Sequence, residues 1–539
     1  MIGVAAALVG LWFVGTHPTP QAVSITAELR HAAQRGLRPG DYGVEDLVQA
    51  VPELAGPVGA ASPNPTPTVV AQVDAALTVA VERFVADLHS GRVNPREVGY
   101  DLDVVRPKFA VPSVVETLAH APSVSMTLDG IEPQFLHYRL LKSVLARYRE
   151  LALHPELNRL PDPGRNAIKP GGLYVGAPAL RRLLIALGDV STGAAVSQDL
   201  HLDRDLVRVL KIYQARHGLA QDGALGRDTY RALTTPFAAR VTQIELSMER
   251  WRWLPPRLET PAIIVNIPEF RLFAFYTTAD LEQQMLRMDV IVGKSFPIMQ
   301  TPVFAADMRY IVLHPYWDVP YSIVKRELLA SIRRDPSYIA RNDYEIVQGQ
   351  TDAAVVQPVT PQTIDALAKG TLRLRQKPGP KNPLGFVKFM LPNQHNVYLH
   401  GTSAPALFAG AQRAFSHGCV RVADPMALLS YVLRDNSEWH PERVLAQLQQ
   451  PGTYRINLHT PIRVFIVYAT ALAAEDGRAL FFADIYGQDS KLQALLDTRS
   501  NHLTRDQRDS RARREIIRTA ALHDRTPLAD RQIHRRIDH

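Results

Sequence analysis

Apolar side chains in the first part of the chain recur every three or four residues, which is the spacing of amphipathic helices. The pattern is clearest over residues 69–91 and again over residues 134–153. Five prolines in residues 52–67 interrupt it and are typical of a loop. We therefore predict a helical scaffold domain over residues 25–197. None of its polar residues form a cluster that suggests catalysis, and a binding role stays open.

A second helical pattern occupies residues 198–237. Apolar residues mark a helix over 205–217, and Gly218 is suited to the left-handed cap at its end. Asp222-Gly223 then favours a turn before another helix. This order resembles the small three-helix peptidoglycan-binding module, and a generic helical hairpin is the alternative.

After residue 260 the spacing changes to the alternation of β-strands. Residues 262–267 and 270–276 flank a Pro-Glu pair and predict a hairpin. Further strands are predicted over residues 288–292, 309–314, 397–400, 462–468 and 479–483. Residues 322–393 interrupt this pattern with a helix, polar stretches and a loop, which predicts an inserted lid over a cleft. The fold class predicted for the chain is α+β multidomain, with helical domains before a mostly β domain of sandwich type over residues 260–470.

The first residues of the chain are strongly apolar. Residues 2–14 carry no charge, and the first charged side chain is Glu28. As a helix, this stretch would rise about 20 Å, which is less than the ~30 Å of a bilayer core. That length suits the apolar region of an export signal or an N-terminal membrane anchor, and we predict one over residues 1–24. A buried core helix is the alternative.

Composition and charge restrict the class of protein. The chain is 46% hydrophobic and 21% charged, which is typical of globular proteins. The net charge is +8, but the basic residues are not arranged in a stripe of the kind that lines a nucleic-acid-binding groove. We therefore predict no nucleic-acid partner. Much of the positive charge lies in an Arg-rich tail, residues 485–539, which we interpret as a solvated helix or a disordered end. Loose attraction to anionic lipid or wall polymer is the alternative for this tail.

The single cysteine, Cys419, is the residue with the most specific chemistry. One cysteine cannot form an intramolecular disulfide. Together with His400 and His417 it would make only a poor metal site, because these three residues include no closely spaced ligand pair. We therefore predict a nucleophile and no metal or other cofactor. His417 shares a face with Cys419 if both lie on a strand, and His400 ends an apolar run upstream. Either histidine can serve as the base.

The neighbours of these residues fit the same chemistry. Gly401 and Gly418 let the backbone approach closely, and amides of the turn at Cys419 can form an oxyanion hole. Arg421 lies on the same strand face as Cys419 and can pair with a substrate carboxylate. Ser416 is expected to orient the turn.

The spacing of these residues is recognisable. His400-Gly401-Thr402 followed by the segment SHGCVR, residues 416–421, resembles the active-site motif of the L,D-transpeptidases. Further segments resemble the large Gram-negative members: ERWRWLP (249–255), VNIP (265–268), VGK (292–294), TPV (301–303) and PYWDVP (315–320). Those members combine a scaffold domain, a peptidoglycan-binding module and a lid-bearing catalytic domain. The likeness covers most of residues 25–485.

The resemblance implies roles for individual residues. Cys419 would be the nucleophile and His400 the base, with its ring held by the Gly401 carbonyl. The amides of Cys419 and Gly418 would bind the oxyanion, and His417 would line the site. Substrate contacts would come from Arg421, Lys294 and Trp317.

The resemblance also implies a reaction. Cys419 would attack the third residue of a donor tetrapeptide stem, release the terminal D-Ala and pass the acyl group to a second stem as a 3→3 cross-link. Water or a protein amine is the alternative acceptor, and a non-catalytic wall-binding scaffold is the alternative of another class. The implied partners are peptidoglycan stem peptides and, through the N-terminal segment, the inner membrane. The implied location is the periplasm, and the sequence makes no prediction of oligomeric state.

Overall fold

The computed structural model describes residues 10–56, 65–102, 109–190, 197–277, 285–349 and 354–523. The described residues form two compact units. The first draws on Met1–Val93, Lys108–Glu132 and Ser490–His539, and the second on Asn94–Pro107 and Pro133–Asp489.

The first unit is helical. Its helices are α1 (Pro20–Arg30), α2 (Val44–Ala50), α3 (Pro67–Ser90), α4 (Val111–Ala119) and α5 (Val124–Ile131), with 3₁₀ turns at Ala32–Arg35, Pro39–Tyr42 and Pro52–Ala55. Helix α3 is the one predicted over residues 69–91. It begins after Thr66, whose side chain accepts the Val69 N–H, and with a proline in its first turn. Its buried stripe supplies much of the unit's core.

The start of the chain differs from the predicted anchor over residues 1–24, of which residues 1–9 lie outside the described part. Residues 10–18 form a hairpin of β1 (Phe13–Val14) and β2 (His17–Pro18). Trp12 is fully buried, and Asp74 accepts its backbone N–H at 2.7 Å. The Trp12 indole donates to Thr78 Oγ1 at 3.1 Å. Trp12 and Phe13 therefore belong to a protein core, while Val14 is exposed. Within the described residues, no helix combines the length and apolarity needed to cross a bilayer.

The described part of the tail is helical, which is one of the two forms predicted for it, but its beginning is packed and not solvated throughout. This helix is α17 (Gln488–His523). Leu492 and Leu496, four residues apart, are buried. Arg499 donates to the carboxylate of Asp87 at 2.7 Å, and this carboxylate is itself almost fully buried. The Arg-rich composition concealed this short apolar stripe.

Replacing Leu496 by alanine tests this packing. Loss of a fully buried leucine side chain is expected to cost roughly 2–5 kcal/mol of unfolding free energy. Calorimetric unfolding should show a clearly lower melting temperature. Thr498→Ala, an exposed change two residues further along the helix, is the matched control and should change little. Equal melting temperatures for Leu496→Ala and the unaltered protein would contradict the packing role.

The second unit opens with helices. They are α6 (Leu136–Ala152), α7 (Ala177–Ala186), α8 (Arg204–Arg216), α9 (Arg227–Thr234) and α10 (Phe237–Trp251), with a 3₁₀ turn at Pro95–Val98. The predicted helix over residues 134–153 is present as α6, but it lies in this unit and not with the scaffold.

The predicted module over residues 198–237 is built around a buried glutamine. The Gln214 side chain accepts the Gly223 N–H at 2.8 Å and donates to Asp222 at 2.8 Å, which fixes the predicted turn. Helix α7 shares one core with α8, through Leu183 and Leu210 among others. The prediction placed the boundary after α7 because the intervening segment hides this packing.

The β part of the second unit is a closed sheet. Its strands are β3 (Ala262–Asn266), β4 (Arg271–Phe275), β5 (Leu286–Gly293), β6 (Phe304–Leu313), β11 (Val387–Met390), β12 (Leu399–His400), β13 (Ala414–Ser416), β14 (Val420–Val422) and β15 (Tyr454–Val467). Their order is β13-β5-β14-β12-β11-β6-β15-β3-β4, and β4 also pairs with β5, which closes the ring. The predicted hairpin is β3–β4. A hairpin of β16 (Ala471–Ala473) and β17 (Ala479–Phe481) and helices α15 (Pro425–Val432) and α16 (Pro441–Leu448) complete this part.

A subdomain is inserted between β6 and β11. It contains β7 (Trp317–Asp318), β8 (Tyr344–Gln348), β9 (Val355–Gln357), β10 (Arg373–Gln376), α11 (Tyr321–Ile323), a π-helix (Val324–Leu328), α12 (Leu329–Arg334), α13 (Ser337–Arg341) and α14 (Pro361–Lys369). It has its own four-stranded sheet and its own apolar core. The predicted insertion over residues 322–393 ran too far, because β11 pairs with β6 and β12 in the closed sheet.

Candidate active site

Three neighbouring strands carry a row of reactive side chains. His400 on β12 pairs with Lys388 on β11 and with Arg421 on β14. The residues that come just before His400 and Arg421 are also close, since the Val420 N–H donates to the Tyr398 carbonyl at 3.1 Å. Paired residues on neighbouring strands project to the same side of a sheet. We call the side that bears Lys388, Tyr398, His400, Cys419 and Arg421 the reactive face. The sequence predicted three of these residues and missed Lys388 and Tyr398.

Cys419 is partly exposed at this face. Its thiol donates to the Asn396 carbonyl over an Sγ···O distance of 3.7 Å. Burial raises the pKa of the thiol above its ordinary value, and nearby Tyr398, Lys388 and Arg421 oppose that rise. Cys419 is therefore a neutral thiol at rest near pH 7.

His400 is a buried, neutral imidazole. Its Nδ1 lies 2.7 Å from the Gly401 carbonyl oxygen, which can only accept, so Nδ1 carries the proton. This is the contact that the resemblance implied, and it leaves the Nε2 lone pair as the basic site. Burial, followed by the charge of Arg421, lowers the pKa of His400 to about 3. The ring is consequently unprotonated at physiological pH, and its Nε2 lone pair is free of a proton.

Ser416 forms two hydrogen bonds within the turn that carries Cys419. Its hydroxyl donates to the Cys419 carbonyl at 2.5 Å and accepts the Gly418 N–H at 3.1 Å. Thr301 Oγ1 donates to the Gly418 carbonyl at 2.8 Å. Gly418 has φ +116°, a conformation that other residues rarely adopt. Because its N–H is already engaged, the structure does not support Gly418 as an oxyanion donor, and the Cys419 amide is left for that role.

The loop beside this turn approaches the sheet closely at Gly293. A Cβ added to Gly293 would lie 2.0 Å from the Met299 carbonyl oxygen, so only glycine fits there. The next residue, Lys294, donates its N–H to the Ser416 carbonyl at 3.0 Å, and its side chain is exposed. The backbone of Lys294 is thus bonded to the turn, while its side chain faces solvent.

Two predicted residues make contacts other than those expected. The exposed His417 places Nε2 2.6 Å from Glu327 Oε1 in the π-helix of the inserted subdomain, so its ring is paired there and is not the base. Trp317 lies on β7 and packs against the core of the same subdomain, next to Tyr344. Its contacts are structural and give no support to substrate binding.

Arg421 retains binding capacity. Its Nε is buried without a hydrogen-bond partner in the described part of the chain. Burial lowers the pKa of this guanidinium, and the neighbouring Cys419 opposes the shift. A buried donor without a partner is costly, so a substrate carboxylate is a favourable occupant. Across the described ranges, no cluster of three His, Cys, Asp or Glu side chains is arranged to hold a metal ion.

Comparisons with known proteins give matches to three domain families. Residues 260–464 match a family described as "L,D-transpeptidase catalytic domain". Residues 177–233 match "Putative peptidoglycan binding domain", and residues 9–145 match "Scaffold domain". A curated Haemophilus influenzae protein named "Putative L,D-transpeptidase" is 31% identical over 279 residues. The aligned region is 51% of this chain and 54% of that protein, so the chain spans about half the length of this relative.

These matches confirm the resemblance and the fold class predicted from the sequence. The matched module begins at residue 177 and not at 198, in agreement with the packing of α7. The scaffold match ends at residue 145, well before the predicted boundary at 197.

Proposed function

We propose that this chain, whose residues 260–464 match the L,D-transpeptidase catalytic domain family, forms 3→3 cross-links in peptidoglycan through a thioester on Cys419. The observation that carries the proposal is the juxtaposition, on paired strands, of a partly exposed thiol and a neutral histidine whose Nδ1 is held by the Gly401 carbonyl. A nucleophile, a base and a group that orients the base are the parts that cysteine acyl transfer needs.

In the first half-reaction the thiol attacks the amide carbonyl of the third stem residue, meso-diaminopimelate. His400 Nε2 takes the proton from sulfur as the S–C bond forms. The oxyanion accepts the Cys419 N–H, and one such donor is worth roughly 2.7–4 kcal/mol. The C–N bond then breaks, and the proton on His400 passes to the departing D-Ala amine. This leaves a thioester and a neutral imidazole.

In the second half-reaction the side-chain amine of a second stem attacks the thioester. His400 accepts a proton from this amine, the C–S bond breaks, and the proton returns to sulfur. Amide formation competes with hydrolysis, so water must be kept from the thioester. The contact of Glu327 with His417 joins the inserted subdomain to the turn at Cys419, which suits that subdomain to the role of a lid.

Arg421 would bind a carboxylate of the donor stem. Replacing Arg421 by leucine removes a charge-assisted hydrogen bond worth about 1.5–3 kcal/mol, so KM for the donor should rise roughly 10- to 100-fold. Steady-state kinetics with a tetrapeptide donor would measure this. Lys294→Leu, which removes an exposed cation beside the same turn, is the comparison and should have a smaller effect. Equal KM values for Arg421→Leu and the unaltered enzyme would assign the carboxylate to another group.

The proposed location is the periplasm, because both the catalytic and the binding domain are of families that act on the cell wall. The proposed partners are donor and acceptor stem peptides.

Incubation with tetrapeptide muropeptides, followed by mass spectrometry, tests the function. Dimers linked through two diaminopimelate residues, with loss of D-Ala, are the expected products. Tripeptides without dimers would replace the proposal with a carboxypeptidase. Unchanged muropeptides together with binding to isolated sacculi would replace it with a non-catalytic scaffold.

A further inference from the structure

Lys388 lies on the reactive face, although no sequence motif marks it. We propose that Lys388 is a positioning residue of the active site, whose ammonium group sits on the Tyr398 ring and holds that phenol where it stabilises negative charge on Cys419 and on the reaction's oxyanion. The proposal rests on the proposed function only in taking Cys419 as the nucleophile.

The geometry of the three strands supports this arrangement. Lys388 Nζ lies 3.9 Å from the centroid of the Tyr398 ring, well within the range of a cation–π contact. Lys388 is directly opposite His400, so Tyr398, which immediately precedes β12, is its diagonal neighbour. The residues on either side of Lys388, Val387 and Phe389, are fully buried. The strand therefore fixes where the half-buried lysine stem can reach.

Tyr398 connects this cation to the nucleophile. Its ring centroid is 5.7 Å from that of His400. Tyr398 and Cys419 are the residues that immediately precede the paired strands β12 and β14, and the Tyr398 carbonyl accepts the N–H of Val420, the residue after Cys419. Burial and then the sulfur of Cys419 raise the pKa of Tyr398, so its hydroxyl stays protonated and able to donate. A cation over the ring face draws electron density from the phenol and strengthens that donor.

The sign of the charge effects agrees with the proposed role. Lys388 lowers the pKa of Cys419 and also lowers that of His400, in each case as a contribution smaller than burial. A cation at this position favours a thiolate and disfavours an imidazolium. It therefore helps those states in which sulfur or the carbonyl oxygen is negative, while His400 returns its proton readily. Arg421 acts in the same sense from β14, so two cations flank the sulfur.

Alkylation of Cys419 by iodoacetamide, followed across pH, tests the inference without requiring transpeptidation. Cys419 is the only cysteine, so incorporated label reports this sulfur alone. Lys388→Met keeps the length of the side chain and removes its charge. At pH values below the thiol pKa, we expect alkylation to slow by ~3- to 10-fold, since one pKa unit changes the thiolate fraction tenfold. Lys388→Arg should stay within about twofold of the unaltered protein, because the charge over the ring is kept.

Two further variants make the result specific. Lys369→Met removes an exposed lysine from the end of α14 and should leave the profile unchanged. Tyr398→Phe should slow alkylation by itself. Combined with Lys388→Met it should add little, because residues that act through one another are not additive.

Three outcomes would overturn the proposal. The first is an unchanged profile for Lys388→Met, and the second is slowing that is equal above and below the thiol pKa, which would indicate altered access. The third is full additivity with Tyr398→Phe. If Lys388→Met does not fold, Lys388→Gln and the single variant Tyr398→Phe provide the test.

A shifted alkylation profile without cross-linked products would uphold the inference while rejecting the proposed function. Cross-linked products together with an unshifted alkylation profile would uphold the proposed function and reject the role of Lys388.

Discussion

Cys419→Ala is expected to abolish the formation of cross-linked muropeptides while binding to isolated sacculi is retained. The proposed thioester needs this sulfur, and the chain has no second cysteine to replace it. The methyl group of alanine fits the space of the partly exposed thiol, and the Ser416 hydroxyl still holds the turn through the Cys419 main chain. The measurement is mass spectrometry of products beside a sacculus pull-down of the same preparation.

A covalent probe sharpens this test. We propose that a carbapenem, as a strained acylating agent, adds its mass to the unaltered protein at Cys419 and leaves Cys419→Ala unmodified. Cross-linking that persists in Cys419→Ala would refute the assignment of the nucleophile. Failure of the alanine variant to bind sacculi would instead show that the substitution disturbs more than the sulfur.

His400→Gln is expected to lower kcat by roughly 10²- to 10⁴-fold, the usual contribution of a positioned general base. Glutamine keeps a polar group in the buried site but cannot take up a proton at neutral pH. His459→Gln, an exposed histidine on β15, is the matched control and should leave kcat unchanged.

The pH dependence follows from the same histidine. The base must be unprotonated, and its pKa is lowered to about 3 by burial and by Arg421, so activity should fall only as the pH drops toward 3. On the alkaline side, reactivity should rise with thiolate formation, because burial raises the pKa of Cys419. An NMR titration of the His400 ring would measure its pKa directly. A fall in activity below about pH 6.5 that disappears in His400→Gln would contradict a site in which the Cys419 thiol and the His400 imidazole are both neutral.

Part of this site could be predicted because it is contiguous in the chain. The run from Ser416 to Arg421 and the upstream His400 contain the proposed nucleophile, the proposed base and a cation, and β12 and β14 pair in register. Lys388 and Tyr398 were missed since their importance depends on how β11, β12 and β14 pair. Glu327 was missed because it comes from the inserted subdomain, 90 residues before its partner His417.

The fold shows the same division between local and distant information. Helix α3 and the β3–β4 hairpin follow from hydrophobic periodicity, which is a local property. The burial of Trp12 and Phe13 does not, because an apolar run suits a lipid core and a protein core equally. The deciding partner, Asp74, is 62 residues away from Trp12. The hydrogen bond from the Gly418 N–H to the Ser416 hydroxyl could not be predicted for a similar reason, because it depends on the conformation of the turn.

The first unit is assembled from both ends of the polypeptide: the residues before Val93, a short central piece, and α17 from Ser490 onward. On a ribosome, the buried Leu492 and Leu496 emerge only after all the strands of the closed sheet have been made. Synthesis proceeds at about 5–20 residues per second, so the earliest helices wait on the order of tens of seconds for the segment that completes them. The scaffold, although its first helices are made early, is therefore completed only after the closed sheet.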